Sequence, residues 1–96
     1  MAISTLKTFW ENPDHADAKQ ALLAWCQIVK NANWLSPADL KSDLRSVSIL
    51  QDVRAIFNIA GNKYRLVVWI NYQYKTIYIR FIGTHGEYDA IDPQKI

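Results

Sequence analysis

The 96-residue sequence has few of the residues that mark cross-linked, metal-bound or disordered chains. It contains one cysteine, three glycines and three prolines. A single cysteine cannot form an intramolecular disulfide, and its solitary occurrence agrees with a reducing compartment. We expect Cys26 to be a small buried hydrophobe. The low glycine and proline content argues against extensive disorder, so residues 1–96 are expected to form a single compact domain.

Long apolar runs are also missing from the sequence. No segment approaches the roughly 20 continuous apolar residues of a membrane span. The first residues lack the charged-then-apolar order of a signal peptide. We therefore expect a cytoplasmic protein that has no membrane partner.

Acidic residues are absent from positions 53–86, whereas five basic residues occur there: Arg54, Lys63, Arg65, Lys75 and Arg80. Before this segment, acidic residues slightly outnumber basic ones. The positive potential therefore belongs to the second half of the chain. A basic surface that is rich in aromatic residues attracts nucleic-acid phosphates and stacks bases. A solvated strand face with scattered cations would have the same composition.

The first half of the sequence predicts a short edge strand at Met1–Ile3 and a weak amphipathic helix over residues 4–10. Two cap-then-proline motifs, Asn12–Pro13 and Ser36–Pro37, predict the starts of a long helix and a shorter one. Apolar residues recur at helical spacing along the long helix: Ala18, Leu22, Trp25 and Val29. His15 lies in the first predicted turn of that helix, and we expect it to be solvated.

The second half predicts three antiparallel strands joined by tight turns. One face of the middle strand is apolar: Tyr64, Leu66, Val68 and Ile70. Its other face carries Lys63, Arg65, Val67, Trp69 and Asn71. The last strand is expected to place Ile77, Ile79 and Phe81 on the apolar face, and Tyr78, Arg80 and Ile82 on the opposite one. A slip of one residue would turn each apolar set toward water, so the register is well determined.

This register has consequences for the turns and for the outer face of the sheet. Gly61–Asn62 becomes a two-residue hairpin turn of the primed type. Asn58, Arg65 and Arg80 are expected to lie side by side across three strands, on the face away from the helices. Two aromatic residues are expected beside this cationic row: Trp69 and Tyr78.

The segment Thr84–Asp89 places a histidine among polar residues where the last strand ends. Histidine exchanges protons around neutral pH, which makes His85 a candidate for proton transfer. Tyr88 offers both a stacking ring and a hydroxyl group. Glu87 and Asp89 have three interpretations: they orient His85, they neutralise an arginine, or they are simply solvated.

The chain resembles the HigB family of type II toxin-antitoxin toxins over nearly its whole length. The residues that carry the resemblance are 57–59 (FNI), 61–66 (GNKYRL), 78–80 (YIR), 84–85 (TH) and 87–89 (EYD), with 32–34 (ANW) and 37–40 (PADL) in the helical half. The resemblance implies an α+β, RelE-like fold, with N-terminal helices packed on one face of a small, mostly antiparallel sheet. It further implies an endoribonuclease that cuts mRNA on the translating ribosome, and a neutralising helix-turn-helix antitoxin of the HigA type.

Both the resemblance and the residues predict a reaction without metal or cofactor, since no cluster of Asp, Glu, His or Cys has ligand spacing. The RNA's 2′-hydroxyl would act as the nucleophile. His85 would transfer protons, while Arg65 and Arg80 would bind the scissile phosphate. Tyr88 would stack on a base or position the sugar. Five further residues are predicted to contact RNA: Lys63, Asn58, Asn62, Trp69 and Tyr78. The alternative function is a non-catalytic RNA-binding or partner-binding module.

Overall fold

The computed structural model describes residues 3–50, 53–93 and 95–96 of the chain. Helices α1 (Ile3–Glu11), α2 (Ala18–Asn31) and α3 (Pro37–Asp43) precede an antiparallel sheet. Its strands lie side by side in chain order: β1 (Ser48–Ile49), β2 (Arg54–Ile59), β3 (Tyr64–Asn71) and β4 (Thr76–Thr84). A short helix, α4 (His85–Asp89), follows β4 directly. This architecture confirms the predicted α+β class.

The helix starts are partly as predicted. The Ser36 hydroxyl accepts a hydrogen bond of 3.3 Å from the Asp39 N–H, as expected for the cap of α3. Asn12, in contrast, caps only a 3₁₀ turn, Pro13–His15. The long helix begins later than predicted, at Ala18. Ile3 lies in α1, so the predicted edge strand is wrong at that residue, and Met1–Ala2 lie outside the described residues.

His15 is not solvated as predicted. Its ring stacks on Phe9 with the centroids 4.1 Å apart, and it meets the edge of Tyr64 at 5.8 Å. His15 ends the 3₁₀ turn, and its ring lies against α1 and the first residue of β3. The sequence pattern missed this contact because Tyr64 is distant from His15 along the chain.

The hydrophobic core lies between the helices and one face of the sheet, which we call the helix face. Leu6 of α1, Leu22 of α2 and Leu40 of α3 are fully buried against it. The Trp25 ring meets Phe57 of β2 edge-on at 5.3 Å. Cys26 is buried in the same cluster, and burial raises the pKa of its thiol, as expected for a small hydrophobe. Among the described residues, no helix is both long and apolar enough to cross a membrane.

A β-bulge in β4 overturns part of the predicted register. Val67 pairs with Phe81 and Val68 with Ile79, so Arg80 is the extra residue of the bulge. The insertion reverses the alternation for the rest of β4. Ile82, predicted on the opposite face, packs against the core, and Phe81 lies on the outer face of the sheet instead of the helix face.

The hairpin between β2 and β3 is wider than predicted. The last strand pair is Ile59 and Tyr64, so the loop contains four residues, Ala60–Lys63, with Gly61 and Asn62 at its centre. The Lys63 N–H donates to the Ala60 carbonyl oxygen at 3.3 Å. Gly61 has a φ of 69°, as the first central residue of a primed turn requires, and Ala60 also has a positive φ, of 54°.

The core predicts a contrast between two adjacent leucines of α2. Leu22→Ala should lower the free energy of unfolding by about 2–5 kcal/mol, because it leaves a cavity where the side chain is fully buried. Leu23→Ala is the matched control, since Leu23 is 38% exposed, and it should cost less than about 1 kcal/mol. Urea denaturation of both variants measures the difference. Equal losses would contradict the different burial of the two leucines.

Candidate active site

The outer face of the sheet, opposite the helix face, consists of three rows of paired residues on β2, β3 and β4. The first row is Arg54, Trp69 and Tyr78; the second is Ile56, Val67 and Phe81; the third is Asn58, Arg65 and Gly83. The predicted pairing of Asn58 with Arg65 is confirmed. The predicted place of Arg80 beside them is wrong, because the bulge puts Gly83 opposite Arg65.

Arg65 lies half-buried in the third row, and the ring of Tyr88 covers it. The guanidinium carbon is 5.6 Å from the ring centroid, a cation–π distance. Arg65 Nε and Asn58 Oδ1 are both buried, and neither has a hydrogen-bond partner among the described residues. A buried polar atom without a partner costs about 1–3 kcal/mol. A ligand that supplies the missing partners is therefore favoured at this point.

The absence of a side chain at Gly83 lets α4 approach the sheet next to Arg65. A Cβ atom at this position would lie 2.7 Å from the Phe81 ring and 3.1 Å from Glu87 Oε1. Phe81 in turn packs toward Tyr88, with ring centroids 6.5 Å apart. The position of Tyr88 over Arg65 thus depends on a close contact that only glycine permits here.

The start of α4 is held by a capping box and by the hairpin loop. The Thr84 hydroxyl accepts from the Glu87 N–H at 3.1 Å, and Glu87 Oε1 accepts from the Thr84 N–H at 2.9 Å. The His85 N–H donates to the Lys63 carbonyl oxygen at 3.1 Å. Glu87 therefore has a structural role, and its hydrogen bonds with the Thr84 backbone and hydroxyl lower the pKa of its carboxyl.

His85 and Asp89 form a pair one helical turn apart on α4. His85 Nδ1 lies 3.2 Å from Asp89 Oδ2, and both side chains are accessible to solvent. With Nδ1 facing the carboxylate, Nε2 is the ring nitrogen left to meet a substrate. Three interpretations were given for Glu87 and Asp89. For Asp89, the contact with Nδ1 agrees with orientation of His85. The predicted site did not contain Asp89, although its spacing from His85 would have indicated the pair once α4 was known.

Arg80 and two predicted aromatic residues, Trp69 and Tyr78, form a second cluster with Arg54 on the outer face. Trp69 lies between Arg54 and Arg80, whose guanidinium carbons are 5.1 and 4.4 Å from its ring. Its indole N–H donates to the carbonyl oxygen of Ile96 at 2.9 Å. Tyr78 is the strand partner of Trp69 and is 53% exposed. Trp69 and Arg65 are four residues apart on β3, or about 13 Å.

Lys63 does not lie on the outer face, contrary to the prediction. Its ammonium group forms an ion pair with Asp17, at the start of α2, and lies 5.6 Å from the Tyr64 ring centroid. The Tyr64 hydroxyl donates to the same carboxylate. The hydrogen bond between Lys63 and Asp17 raises the pKa of the lysine and lowers that of the aspartate. Asn62 is exposed in the hairpin loop, away from the three rows.

Metal-ligating side chains do not cluster in the part of the chain that the structure describes. No group of three or more His, Cys, Asp or Glu residues there could hold a metal ion. The chemically active groups of the outer face are therefore cations, aromatic rings, an amide and the His85–Asp89 pair. Together they provide anion binding, stacking and proton transfer.

Comparison with known proteins assigns a class to this arrangement. Residues 18–91 match the family model of the HigB toxin, a RelE-like toxic component of a toxin-antitoxin system. The chain belongs to the HigB toxin family, which implies an antitoxin partner. The matched segment includes all three rows of the outer face and the whole of α4.

Curated relatives include the mRNA interferase toxin HigB of Escherichia coli K12 and the mRNA interferases HigB of Escherichia coli O157:H7 and Shigella flexneri. Each is 30% identical to this chain over 79 residues, which is 80% of this chain and 73% of the relative. These matches confirm the family that the sequence motifs indicated.

The capping box predicts that acid loosens α4. Because the folded-state pKa of Glu87 is lowered, its stabilising contribution is present above the ordinary glutamate value of about 4.3 and is lost as the pH falls through the folded-state value. The NMR amide signals of Thr84 and Glu87 should show a transition centred below the ordinary glutamate value of about 4.3. Glu87→Gln keeps an acceptor without a titrating group, so this acid transition should be missing from its spectra. Unchanged wild-type signals down to pH 3 would contradict the assignment.

Proposed function

We propose that this chain is the toxin of a type II toxin-antitoxin system and an endoribonuclease that cleaves mRNA on the translating ribosome. The observation that carries the proposal is the half-buried Arg65, which lies under Tyr88 next to the His85–Asp89 helix on a basic sheet face. The names of the relatives, mRNA interferases, support the same reaction. Because translating ribosomes are cytoplasmic, the proposed activity is cytoplasmic as well.

The reaction that fits these groups uses the 2′-hydroxyl of the RNA. Its oxygen attacks the adjacent phosphorus, and the bond from phosphorus to the 5′ oxygen of the next nucleotide breaks. One proton leaves the 2′-hydroxyl and one is delivered to the departing oxygen. The products are a 2′,3′-cyclic phosphate and a 5′-hydroxyl. Every step is acid–base and electrostatic chemistry, so the proposed mechanism requires no metal.

Arg65 is placed to stabilise the charge that accumulates on the phosphate. The guanidinium group is held between the sheet and the Tyr88 ring, so it is already oriented before RNA binds. Preorganised cations of this kind cost no reorganisation when the charge develops. Asn58, directly across from Arg65, supplies an amide for a hydrogen bond to the sugar or base. Tyr88, whose ring covers Arg65, would stack on a base or position the sugar.

His85 is the proton-transfer group of the proposed mechanism. Asp89 holds its Nδ1, which leaves Nε2 to act as base or acid. A carboxylate also stabilises the imidazolium that forms when the ring takes up a proton. Asp89 is thus a positioning residue whose effect passes through His85.

The second cluster binds flanking RNA in this proposal. Arg80 leaves β4 opposite Val67 and Val68, and its guanidinium group lies against Trp69 instead of beside Arg65. In this proposal it contacts a neighbouring phosphate and not the scissile one. The exposed ring of Tyr78 offers a stacking surface for a base, and Trp69 holds Arg80 in place. Lys63 and Asn62 lie at the far end of β3. There Lys63 is paired with Asp17 and anchors the loop, and the carboxylate compensates its charge.

Type II toxins of this kind are controlled by a partner protein. We propose a helix-turn-helix antitoxin of the HigA type, encoded beside this chain, as that partner. The basic outer face is the surface whose occupation would block RNA.

Replacement of His85 tests the proton-transfer role. His85→Ala should bind RNA but cleave a translated message about a hundred- to ten-thousandfold more slowly, the usual contribution of general acid–base catalysis. Lys19→Ala, an exposed cation on α2, is the control and should cleave at the wild-type rate. Primer extension in a translation reaction locates the cuts, and the product ends should be cyclic phosphates. Intact message at saturating wild-type protein would contradict the enzyme and favour the RNA-binding module.

The two arginine clusters predict separable kinetic effects. Arg65→Ala should lower kcat, because Arg65 acts on the charge of the transition state, and Arg65→Lys should restore only part of it, since lysine lacks the planar fork. Arg80→Ala should mainly raise KM, because Arg80 contacts flanking RNA. Single-turnover cleavage at several protein concentrations separates the two parameters. A larger loss of kcat in Arg80→Ala than in Arg65→Ala would reverse the proposed division.

A further inference from the structure

The sheet is open along the second half of β2. β1 pairs only with Ile56 and Ala55 of β2. Among the described residues, no strand precedes Ser48 to pair with the rest of β2 on this side. The Arg54 carbonyl accepts from the Leu50 N–H at 3.0 Å on the β1 side, whereas the Val53 carbonyl accepts from Ile70 on the β3 side. Antiparallel strands alternate in this way, so the N–H and C=O of Asn58 face the β1 side.

The chain that precedes β1 does not close this edge. The Val47 N–H donates to the Leu44 carbonyl at 3.0 Å, and the Val47 carbonyl accepts from the Lys41 ammonium group. Continued from the pair of Ser48 and Ile56, the register would put Ser46 opposite Asn58. The chain leaves the sheet at Val47, and no backbone hydrogen bond joins Ser46 to Asn58. No residue of the described chain supplies a backbone partner to Asn58 on this side. An unpaired strand edge is a template for another strand.

An apolar groove runs beside the open edge, between β2, α2 and two residues of the segment that precedes β1, Leu44 and Ser46. Its cavity volume is about 340 Å³, within the range of ligand pockets. The α2 residues that line it are Ala21, Ala24, Trp25 and Ile28, and none of its lining residues is charged. Ile28 is 43% exposed, and the buried Trp25 indole N–H has no hydrogen-bond partner among the described residues. Such a lining suits apolar side chains and offers nothing to RNA phosphates.

We propose that an extended segment of the antitoxin adds to the sheet as a strand at the open edge of β2, next to Asn58. This inference rests on the proposed function for the identity of the partner. Strand side chains alternate between faces. Apolar residues of the segment would enter the groove on the helix face, and the residues between them would lie on the outer face. Backbone hydrogen bonds provide affinity, and the groove provides selectivity.

The charge of the neighbouring surface defines the outer-face side chains of this segment. An added strand lies about 4.8 Å from β2, and its outer-face residues therefore lie beside Asn58, one strand away from Arg65. Arg65 and Arg80 make this face basic, and carboxylates complement it. The segment is thus an alternation of apolar and acidic residues. The segment would cover the edge of the candidate active site. Binding at this edge would therefore inhibit RNA cleavage by itself, with no second contact between antitoxin and toxin.

A second copy of this chain is the competing occupant. Pairing of two β2 edges around a two-fold axis would bring two basic outer faces together, and like charges oppose that arrangement. The charges therefore favour an acidic partner over self-association.

Binding of the purified antitoxin to groove variants tests the proposal. Ala24→Lys places a charged side chain in the groove from an exposed position on α2 and should weaken antitoxin binding at least about tenfold, or 1.4 kcal/mol. Gln27→Lys adds the same charge to an exposed position of the same helix outside the groove lining and should bind like the wild type. Both variants should cleave message at the wild-type rate. Calorimetry measures the affinities, and thermal unfolding confirms that both variants fold.

Hydrogen exchange of the wild-type chain gives an independent readout. The Asn58 amide should exchange at least about tenfold more slowly in the antitoxin complex, because it gains a strand partner. Equal affinity of Ala24→Lys and an unprotected Asn58 would overturn the proposal. Concentration-dependent dimers of the chain alone, with Asn58 protected, would assign the edge to a second copy instead. Absence of cleavage with antitoxin binding as predicted would contradict only the proposed enzyme.

Discussion

The β-bulge at Arg80 determines which side chains surround the candidate active site. Upstream of it, β4 continues the alternation that buries Ile77 and Ile79. Downstream, the alternation is reversed, so Ile82 joins the core while Phe81 and Gly83 come to the outer face. Phe81 supports Tyr88, and Gly83 leaves room for α4. Without the extra residue, Ile82 would lie across from Arg65 and exclude the helix that carries His85.

The division of the cationic residues into two clusters follows from the same bulge. Arg65 lies with Asn58 and Tyr88 near α4, whereas the Arg80 side chain leaves the bulge opposite Val67 and Val68 and lies against Trp69. A polynucleotide has charge along its whole length, so a site that holds one phosphate for chemistry gains from a second contact further along the chain. The outer face has this arrangement on a rigid sheet, where the spacing between the contacts is fixed.

The sequence predicted the strands correctly where apolar and polar residues alternate regularly. The apolar alternation from Tyr64 to Ile70 placed β3 correctly, and the match of Asn58 with Arg65 followed from it. The bulge was missed because Phe81 and Ile82 are both apolar, so hydrophobicity cannot tell which of them faces the core. Tertiary contacts also decided the roles of Asp17 and Lys63. The sequence places these residues 46 positions apart, and only the fold shows that they pair. His85 and Tyr88 were singled out from residue type and motif. Orientation of His85 by Asp89 was one of three interpretations of the carboxylates until α4 placed Asp89 Oδ2 3.2 Å from His85 Nδ1.

The four-residue loop Ala60–Lys63 contacts both the apolar groove and the start of α4. Ala60 and Gly61 form part of the wall of the apolar groove, and the Lys63 carbonyl anchors the first residue of α4. A five-residue helix has too few internal hydrogen bonds to persist alone, so its position depends on that anchor. The groove behind the sheet edge and the histidine on the opposite face are therefore separated by a single turn of chain. A change in the conformation of that loop would therefore alter both the shape of the groove and the position of His85.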